Sequence, residues 1–236
     1  MKILHYYHDI MNLYGDYANV LALQDMLTRA GEEVTVEKKT IGDDVQLSDY
    51  DFIYIGSGTE RNQKVVLEDF RQQTDALRAY ADAGKPILMT GNSFEMLGKR
   101  LTDCHGNTFD GLGLMDFTTT EQNKTRDTAD AVFTADFLKD PLVGFINKCS
   151  AISGVAQPLF TVKMGLGNQP EDINEGVRYQ HLYGTHLTGP VLMKNPEFLV
   201  YITSLLTKNV PDVNPLQQKG YEITLRELTK RMNEGA

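Results

Sequence analysis

Asp51-Phe52-Ile53-Tyr54-Ile55-Gly56-Ser57-Gly58-Thr59 is the stretch on which the fold turns. Four consecutive large apolar residues closed by a glycine read as a strand buried on both faces. Glycines then make a turn, and a long amphipathic helix from Val65 to Ala83 follows, stopped by Gly84 and Pro86. The same order recurs upstream. Lys2–Tyr7 is a short apolar and aromatic strand. Asp16 stands where a helix N-cap belongs, and Val20, Leu21, Leu23 and Leu27 stripe a helix that runs to Ala30. Gly31 takes the C′ position, and Val34-Thr35-Val36 is the next strand. Downstream, Ile87-Leu88-Met89 is a further strand, and a helix begins over Phe94 to Lys99. Strands alternating with helices build βαβ units, so the expected fold is α/β, three-layered, around a mostly parallel sheet.

The second half reads differently. Gly111–Thr120, Ala131–Thr134, Phe160–Met164 and Val177–Thr185 look like strands separated by polar or glycine-rich turns. Helix returns from Pro196 to Lys208. A last helix, about 214–234, carries Tyr221, Leu225, Leu228 and Met232 on one face, a stripe that reads as core packing. No segment stands out as a linker, so residues 1–236 are expected to form a single domain with that helix as an extension.

Composition narrows the function. The chain has 236 residues, 41% of them hydrophobic and 23% charged, and a formal net charge of -9. Such an acidic balance excludes a general nucleic-acid binder, which needs basic residues to displace counterions. The longest apolar run, Phe198 to Leu206, is far short of a membrane span and contains Thr203 and Ser204. The N-terminal residues turn polar too soon for a signal peptide. Cys104 and Cys149 lie far apart with no metal-ligand spacing and read as reduced thiols of a cytoplasmic protein.

In an open parallel sheet, ligands bind beyond the carboxyl ends of the strands. Three segments lie there: Asp9 to Asn19, Gly56 to Gln63, and Thr90-Gly91-Asn92-Ser93. Gly56-Ser57-Gly58 entering a helix can aim successive amides at one point, as an oxyanion nest, or can be a plain turn. Thr90 to Ser93 has the form of a nucleophile elbow, in which a strand ends, one residue turns sharply and a helix starts. The elbow residue is Gly91, which has no side chain.

Taken in order, several pieces of the chain resemble the CobB/CobQ-type glutamine amidotransferases, and most of all their GatD branch, the amidotransferase subunits of lipid II isoglutaminyl synthase. They are Ile10-Met11-Asn12-Leu13-Tyr14-Gly15-Asp16 with Asn19, Gly56-Ser57-Gly58 with Arg61 and Gln63, and Phe94-Glu95-Met96-Leu97-Gly98. Gly111-Leu112-Gly113-Leu114-Met115-Asp116, Gly167-Asn168, and Gly184-Thr185-His186-Leu187-Thr188-Gly189-Pro190 follow. The resemblance implies a class I amidotransferase fold of flavodoxin-like type. Its chemistry is glutamine hydrolysis: an elbow Cys forms a thioester, a His moves the proton, and amides of the glycine loop hold the oxyanion. It also implies a MurT-like, Mur-ligase-like ATP-dependent synthetase as partner, no cofactor and no metal.

Position by position, the resemblance breaks at its centre. The family reads Cys-Gly-Gly-Tyr-Gln-Leu-Leu-Gly where this chain has Gly91-Asn92-Ser93-Phe94-Glu95-Met96-Leu97-Gly98. The nucleophile position is Gly91. The family's Gly-Thr-Tyr-Leu-His-Gly-Pro becomes Gly184 to Pro190, with Thr188 at the His position. Gly56, Ser57, Gly58, Arg61, Gly91, Asn92, Ser93 and Glu95 are the expected pocket, and His186 and Cys104 are the residues that would stand in for the lost pair if geometry brings them there. Three readings follow. The chain is a non-hydrolytic subunit that binds a synthetase or a small amide or amino-acid ligand. Or it is an active glutaminase working through displaced residues, supplying ammonia for a cell-wall precursor or a corrinoid. Or it keeps the fold only, as an interaction protein. On the first, Gly91→Cys with Thr188→His is expected to restore thioester chemistry.

Overall fold

The computed structural model describes residues 1–122 and 126–234. The first half contains β1 (Lys2–Tyr6), α1 (Tyr17–Arg29), β2 (Thr35–Lys39), β3 (Phe52–Ile55), α2 (Glu60–Phe70), α3 (Thr74–Asp82) and β4 (Ile87–Thr90). The strands of the second half are β5 (Arg100–Thr102), β6 (Thr108–Asp110), β7 (Thr118–Glu121), β8 (Asp127–Thr134), β9 (Leu142–Lys148), β10 (Ser150–Ser153), β11 (Phe160–Met164), β12 (Asn174–Glu175), β13 (Val177–Tyr179) and β14 (Leu182–Thr185). Helices α4 (Val191–Lys194), α5 (Pro196–Ser204) and α6 (Pro215–Glu234) follow.

The central sheet has the order β13-β14-β4-β3-β1-β2. From β14 to β2 all neighbours are parallel, and only the edge strand β13 runs antiparallel. Neighbouring residues of each strand face opposite ways. Leu4, Ile53, Ile55, Ile87 and Met89 pack on Val66, Leu67 and Phe70 of α2 and Leu77 of α3. Ile3, Phe52, Tyr54 and Leu88 pack on Leu23 and Met26 of α1 and on Phe198 of α5. A sheet buried on both faces explains why its strands read as continuous apolar runs. The expected three-layer α/β architecture is therefore present. Two further four-stranded sheets, β10-β7-β5-β6 and β12-β11-β8-β9, flank it.

Several expected boundaries move. The helix over Val65–Ala83 is two helices that start at Glu60 and are separated at Arg71–Gln73. The helix expected at Phe94 is a 3-10 helix, Gly91–Leu97. Gly111–Thr120 is strand only from Thr118, because its first residues have another task. The amides of Gly111, Leu112, Gly113 and Leu114 donate to the carbonyls of Lys99, Met96, Gly98 and Leu97, and so close the end of that 3-10 helix. Val177–Thr185 is the hairpin β13–β14, turning at Gln180, whose φ is 49°. The helix from Pro196 ends at Ser204 rather than Lys208. Helix α6 packs Tyr221 and Leu228 on Val132 of β8 and Val143 of β9, as its stripe anticipates.

Candidate functional site

Strand β4 ends at Thr90 and the chain turns at Gly91 with φ +62°, a left-handed conformation that glycine adopts without strain. The elbow inferred from the sequence is present. Beside it, the Gly56–Gly58 loop leaves β3 for α2, and Thr59 caps α2 by accepting from the Asn62 amide at 3.1 Å.

The loop and the elbow are packed against each other. A Cβ on Gly91 would stand 2.0 Å from Ser57 Oγ, 2.6 Å from its Cβ and 3.2 Å from its Cα. Ser57 thus fills the volume that any side chain at 91 would need. The exchange Gly91→Cys with Thr188→His does not fit this loop as it stands, because Ser57 has to yield first. The two amides that would build an oxyanion nest are already engaged. Ser57 N–H donates to Asp16 Oδ2 at 2.5 Å, and Gly58 N–H donates to Asn92 Oδ1 at 3.0 Å. Gly56, Ser57, Gly58, Gly91, Ser93 and Glu95 are buried, Asn92 is half-buried, and Arg61 is exposed. Ser93 Oγ donates to the carbonyls of Thr90 and Ile55, a structural tie between the elbow and β3.

Sequence reading misplaces Asp16. It occupies the N-cap position of α1, but its side chain makes no capping bond. It turns inward to the Ser57 amide, while Asn12 Oδ1 takes the Tyr17 amide. Burial pushes the Asp16 carboxyl up to about 6, against the Ser57 amide, which favours the charged form. Around it, Asn19 Nδ2 donates to Tyr54 Oη at 2.8 Å, and Tyr54 shares a 2.7 Å bond with Thr90 Oγ1. Asp16 Oδ1 and Ser57 Oγ are buried without a hydrogen-bond partner among the described residues.

A second polar group lies behind the elbow. Glu95 Oε1 is 2.8 Å from His186 Nε2 and accepts from Ser150 Oγ at 2.5 Å, and Glu95 Oε2 accepts from Gln63 Nε2 at 2.8 Å. Glu175 Oε1 accepts the His186 amide, and Glu175 Oε2 accepts from Thr185 Oγ1. Lys148 Nζ donates to the carbonyls of Gly167 and Asn168. The His186 ring lies against Phe94, with centroids 4.6 Å apart. His186 is therefore held between two carboxylates, and its hydrogen-bonding partner is Glu95, not a thiol.

The other expected residues lie apart. Thr188 is pinned to β9, exchanging backbone bonds with Phe145 and donating its hydroxyl to the Phe145 carbonyl. Cys104 lies in the turn between β5 and β6, where its amide donates to Glu121. Register puts Ser150 opposite Glu121 and Thr102 opposite Thr120. The two cysteines therefore flank β7 on opposite sides, and both are free. Cys149 is half-buried and bonded. Its Sγ lies 3.3 Å from Glu60 Oε1, which also pairs with Arg126. Burial and Glu60 together push the Cys149 thiol up to about 12. His5 is buried against Tyr54, and burial lowers it to about 4. His181 bonds the Tyr183 hydroxyl. Among the described residues no cluster of His, Cys, Asp and Glu can hold a metal ion, and no helix is long and apolar enough to cross a membrane.

A parallel sheet whose fourth strand ends in an elbow, next to a glycine loop entering a helix, is the frame on which the comparisons bear. A profile of CobB/CobQ-like glutamine amidotransferase domains matches residues 2–196. The chain belongs to the CobB/CobQ-like glutamine amidotransferases. It is 31% identical over 202 residues to the lipid II isoglutaminyl synthase (glutamine-hydrolyzing) subunit GatD of Staphylococcus aureus strain N315, covering 86% of this chain and 82% of that one. It is 28% identical over 231 residues to the same subunit of Streptococcus pneumoniae strain R6, covering 96% and 88%. Among solved structures, PurLQS from Thermotoga maritima superposes with a TM-score of 0.56 at 12% identity, covering 78% and 85%. A Thermotoga maritima glutamine amidotransferase gives 0.53 at 12%, covering 98% and 97%. These neighbours are class I glutamine amidotransferases in fold. In this CobB/CobQ-like chain the frame is intact, while the elbow offers no nucleophile and the nest no free pair of amides.

Proposed function

We propose that this chain is a GatD-type amidotransferase subunit that does not hydrolyse glutamine, and that acts in the cytoplasm by binding an ATP-dependent, Mur-ligase-like synthetase. Its whole length works as one domain, with α6 closing the far side. The observation that carries this reading is the elbow itself: Gly91 has no side chain, and Ser57 Oγ fills the space beside it. The engaged amides of Ser57 and Gly58 add to it. Losing one member of a nucleophile–base unit lowers kcat by several powers of ten, and losing the rest adds little. Both relatives are named as subunits of a synthase, which supports a synthetase partner. Two free thiols support a reducing compartment.

The rival reading, hydrolysis by displaced residues, has weak chemical support. Cys149 is the thiol beside Glu60, the first residue of α2, but at about 12 it stays protonated at neutral pH. The test is glutamate release from glutamine by the purified chain, with and without a co-expressed Mur-ligase-like synthetase and ATP. The expected result is a stable complex and no release above background. Turnover that is lost on Cys104→Ser or Cys149→Ser, or the absence of any complex, would overturn the proposal.

A further inference from the structure

The packing of the elbow assigns a role to a residue outside the catalytic pattern. We infer that Ser57 and Gly91 form an exchange pair: the Ser57 side chain is the plug of the elbow, and it makes glycine obligatory at 91. The inference concerns the same site as the proposed function, but it rests on volume and does not depend on a synthetase or on glutamine.

Three observations carry it. First, the overlap is with Ser57 from tip to backbone, Oγ at 2.0 Å, Cβ at 2.6 Å and Cα at 3.2 Å. A rotamer change moves Oγ away but leaves the Cβ contact, which is shorter than packed carbon atoms tolerate. Second, Ser57 cannot back away as a unit. Its amide is held by Asp16, its carbonyl accepts the Leu13 amide at 3.0 Å, and the next amide is held by Asn92. The loop is also roofed by the β1–α1 segment, since a Cβ on Gly58 would meet Met11 Sδ at 2.2 Å and one on Gly56 would meet the Met11 carbonyl at 2.6 Å. Third, the Ser57 hydroxyl is buried and meets no partner at good hydrogen-bond geometry, its polar neighbour being the Asp16 carboxyl. Its contact with the elbow is one of volume.

A double-mutant cycle of Ser57→Gly and Gly91→Ala, followed by thermal unfolding, tests the pair. Any residue at 91 carries the strain of φ +62°, so that cost is the same in both backgrounds and cancels in the coupling. In the native background Gly91→Ala adds overpacking to strain, and Tm is expected to fall by about 5–10 °C. With Ser57→Gly the same change is expected to lower Tm by about 2–4 °C. Equal losses in the two backgrounds overturn the inference. A second readout uses thiol alkylation on chains that also carry Cys104→Ser and Cys149→Ser. Gly91→Cys with Ser57→Gly is expected to react at least tenfold faster with iodoacetamide than Gly91→Cys with Ser57 in place. If Gly91→Cys fails to fold, recovery of folded protein by adding Ser57→Gly supports the pair. Equal reactivity, or no recovery, sinks it. None of these results depends on glutamate release, so the plug and the proposed function fail separately.

Discussion

The front of the elbow and the cluster behind it differ in a way that separates shape from chemistry. At the front, the backbone has everything a nucleophile elbow needs, including a left-handed turn, a glycine loop and a helix start. Its side chains are small, and three buried polar atoms there, Asp16 Oδ1, Ser57 Oγ and Asn92 Nδ2, have no partner among the described residues. Behind it, Glu95, His186, Ser150, Gln63 and Glu175 are reactive in type, and all four carboxylate oxygens of Glu95 and Glu175 are matched, although His186 Nδ1 and Gln63 Oε1 are not. Groups suited to acid–base work are here spent on holding the 3-10 helix to β10 and β14. A catalytic inventory taken by residue type would choose the wrong region.

The largest effect is expected behind the elbow. Glu95→Ala removes the acceptor of three hydrogen bonds, leaving His186 Nε2 and Ser150 Oγ unmatched in a buried place and Gln63 Nε2 with the Asn92 carbonyl alone. Breaking such a buried pair from one side costs about 3–5 kcal/mol. Urea unfolding of the variant should show it as a lower midpoint with an unchanged slope. The resemblance places Gln at 95 and Tyr at 186, so two departures from the pattern meet at 2.8 Å. Glu95→Gln combined with His186→Tyr is therefore expected to lose less than the two single changes summed. Simple additivity would mean that the two positions are not a matched pair, and the contrast between the regions would weaken.

At the front, pH is the probe. Asp16 is raised to about 6 by burial. The folded state therefore binds the proton more tightly than the unfolded chain. Its contribution to stability is fully present below pH 4 and is lost as pH rises toward 6. Asp16→Asn should abolish that loss, so the variant gains on the native protein by up to about 2–3 kcal/mol between pH 4 and pH 7.5. His5 acts in the opposite sense. Lowered to about 4, it stays neutral when folded, and stability falls as pH drops from 6.5 to 4. Comparing the native protein with Asp16→Asn, rather than reading one pH profile, separates the two. A difference flat across that range would mean Asp16 is charged and satisfied.

How much of this was legible beforehand follows from the same contrast. The parallel sheet was readable because Phe52–Ile55 and Ile87–Met89 are buried on both faces and carry no compensating polar residues. The elbow was readable from strand, glycine and turn. Asp16 was not, since an acidic residue before an apolar stripe is the ordinary mark of an N-cap, and only tertiary structure turns it toward Ser57. The plug was invisible for a similar reason: Ser57 and Gly91 are 34 residues apart, and nothing local says that one occupies the volume of the other. His186 was legible as a stand-in for the lost pair, but not as the partner of Glu95. Nor could residues 111–114 announce that their amides close a 3-10 helix instead of joining a sheet.

The smallest effect is expected at the rim, where Arg126 pairs with Glu60 and Glu60 with Cys149. Arg126 and Glu60 are about a third exposed, so Arg126→Met should cost less than about 1 kcal/mol, a Tm change of no more than about 3 °C. Its effect on the thiol is the sharper reading. Opening the rim suggests a more reactive Cys149, but charge argues the reverse. Arg126 is the cation beside that sulfur and favours the thiolate, while Glu60 opposes it. Without Arg126 the carboxylate is left unopposed, and alkylation of Cys149 at pH 8 should slow, from a rate already at least a hundredfold below that of a free cysteine. An accelerated reaction would mean that access, not charge, keeps this thiol silent. The front of the site would then hold a latent nucleophile.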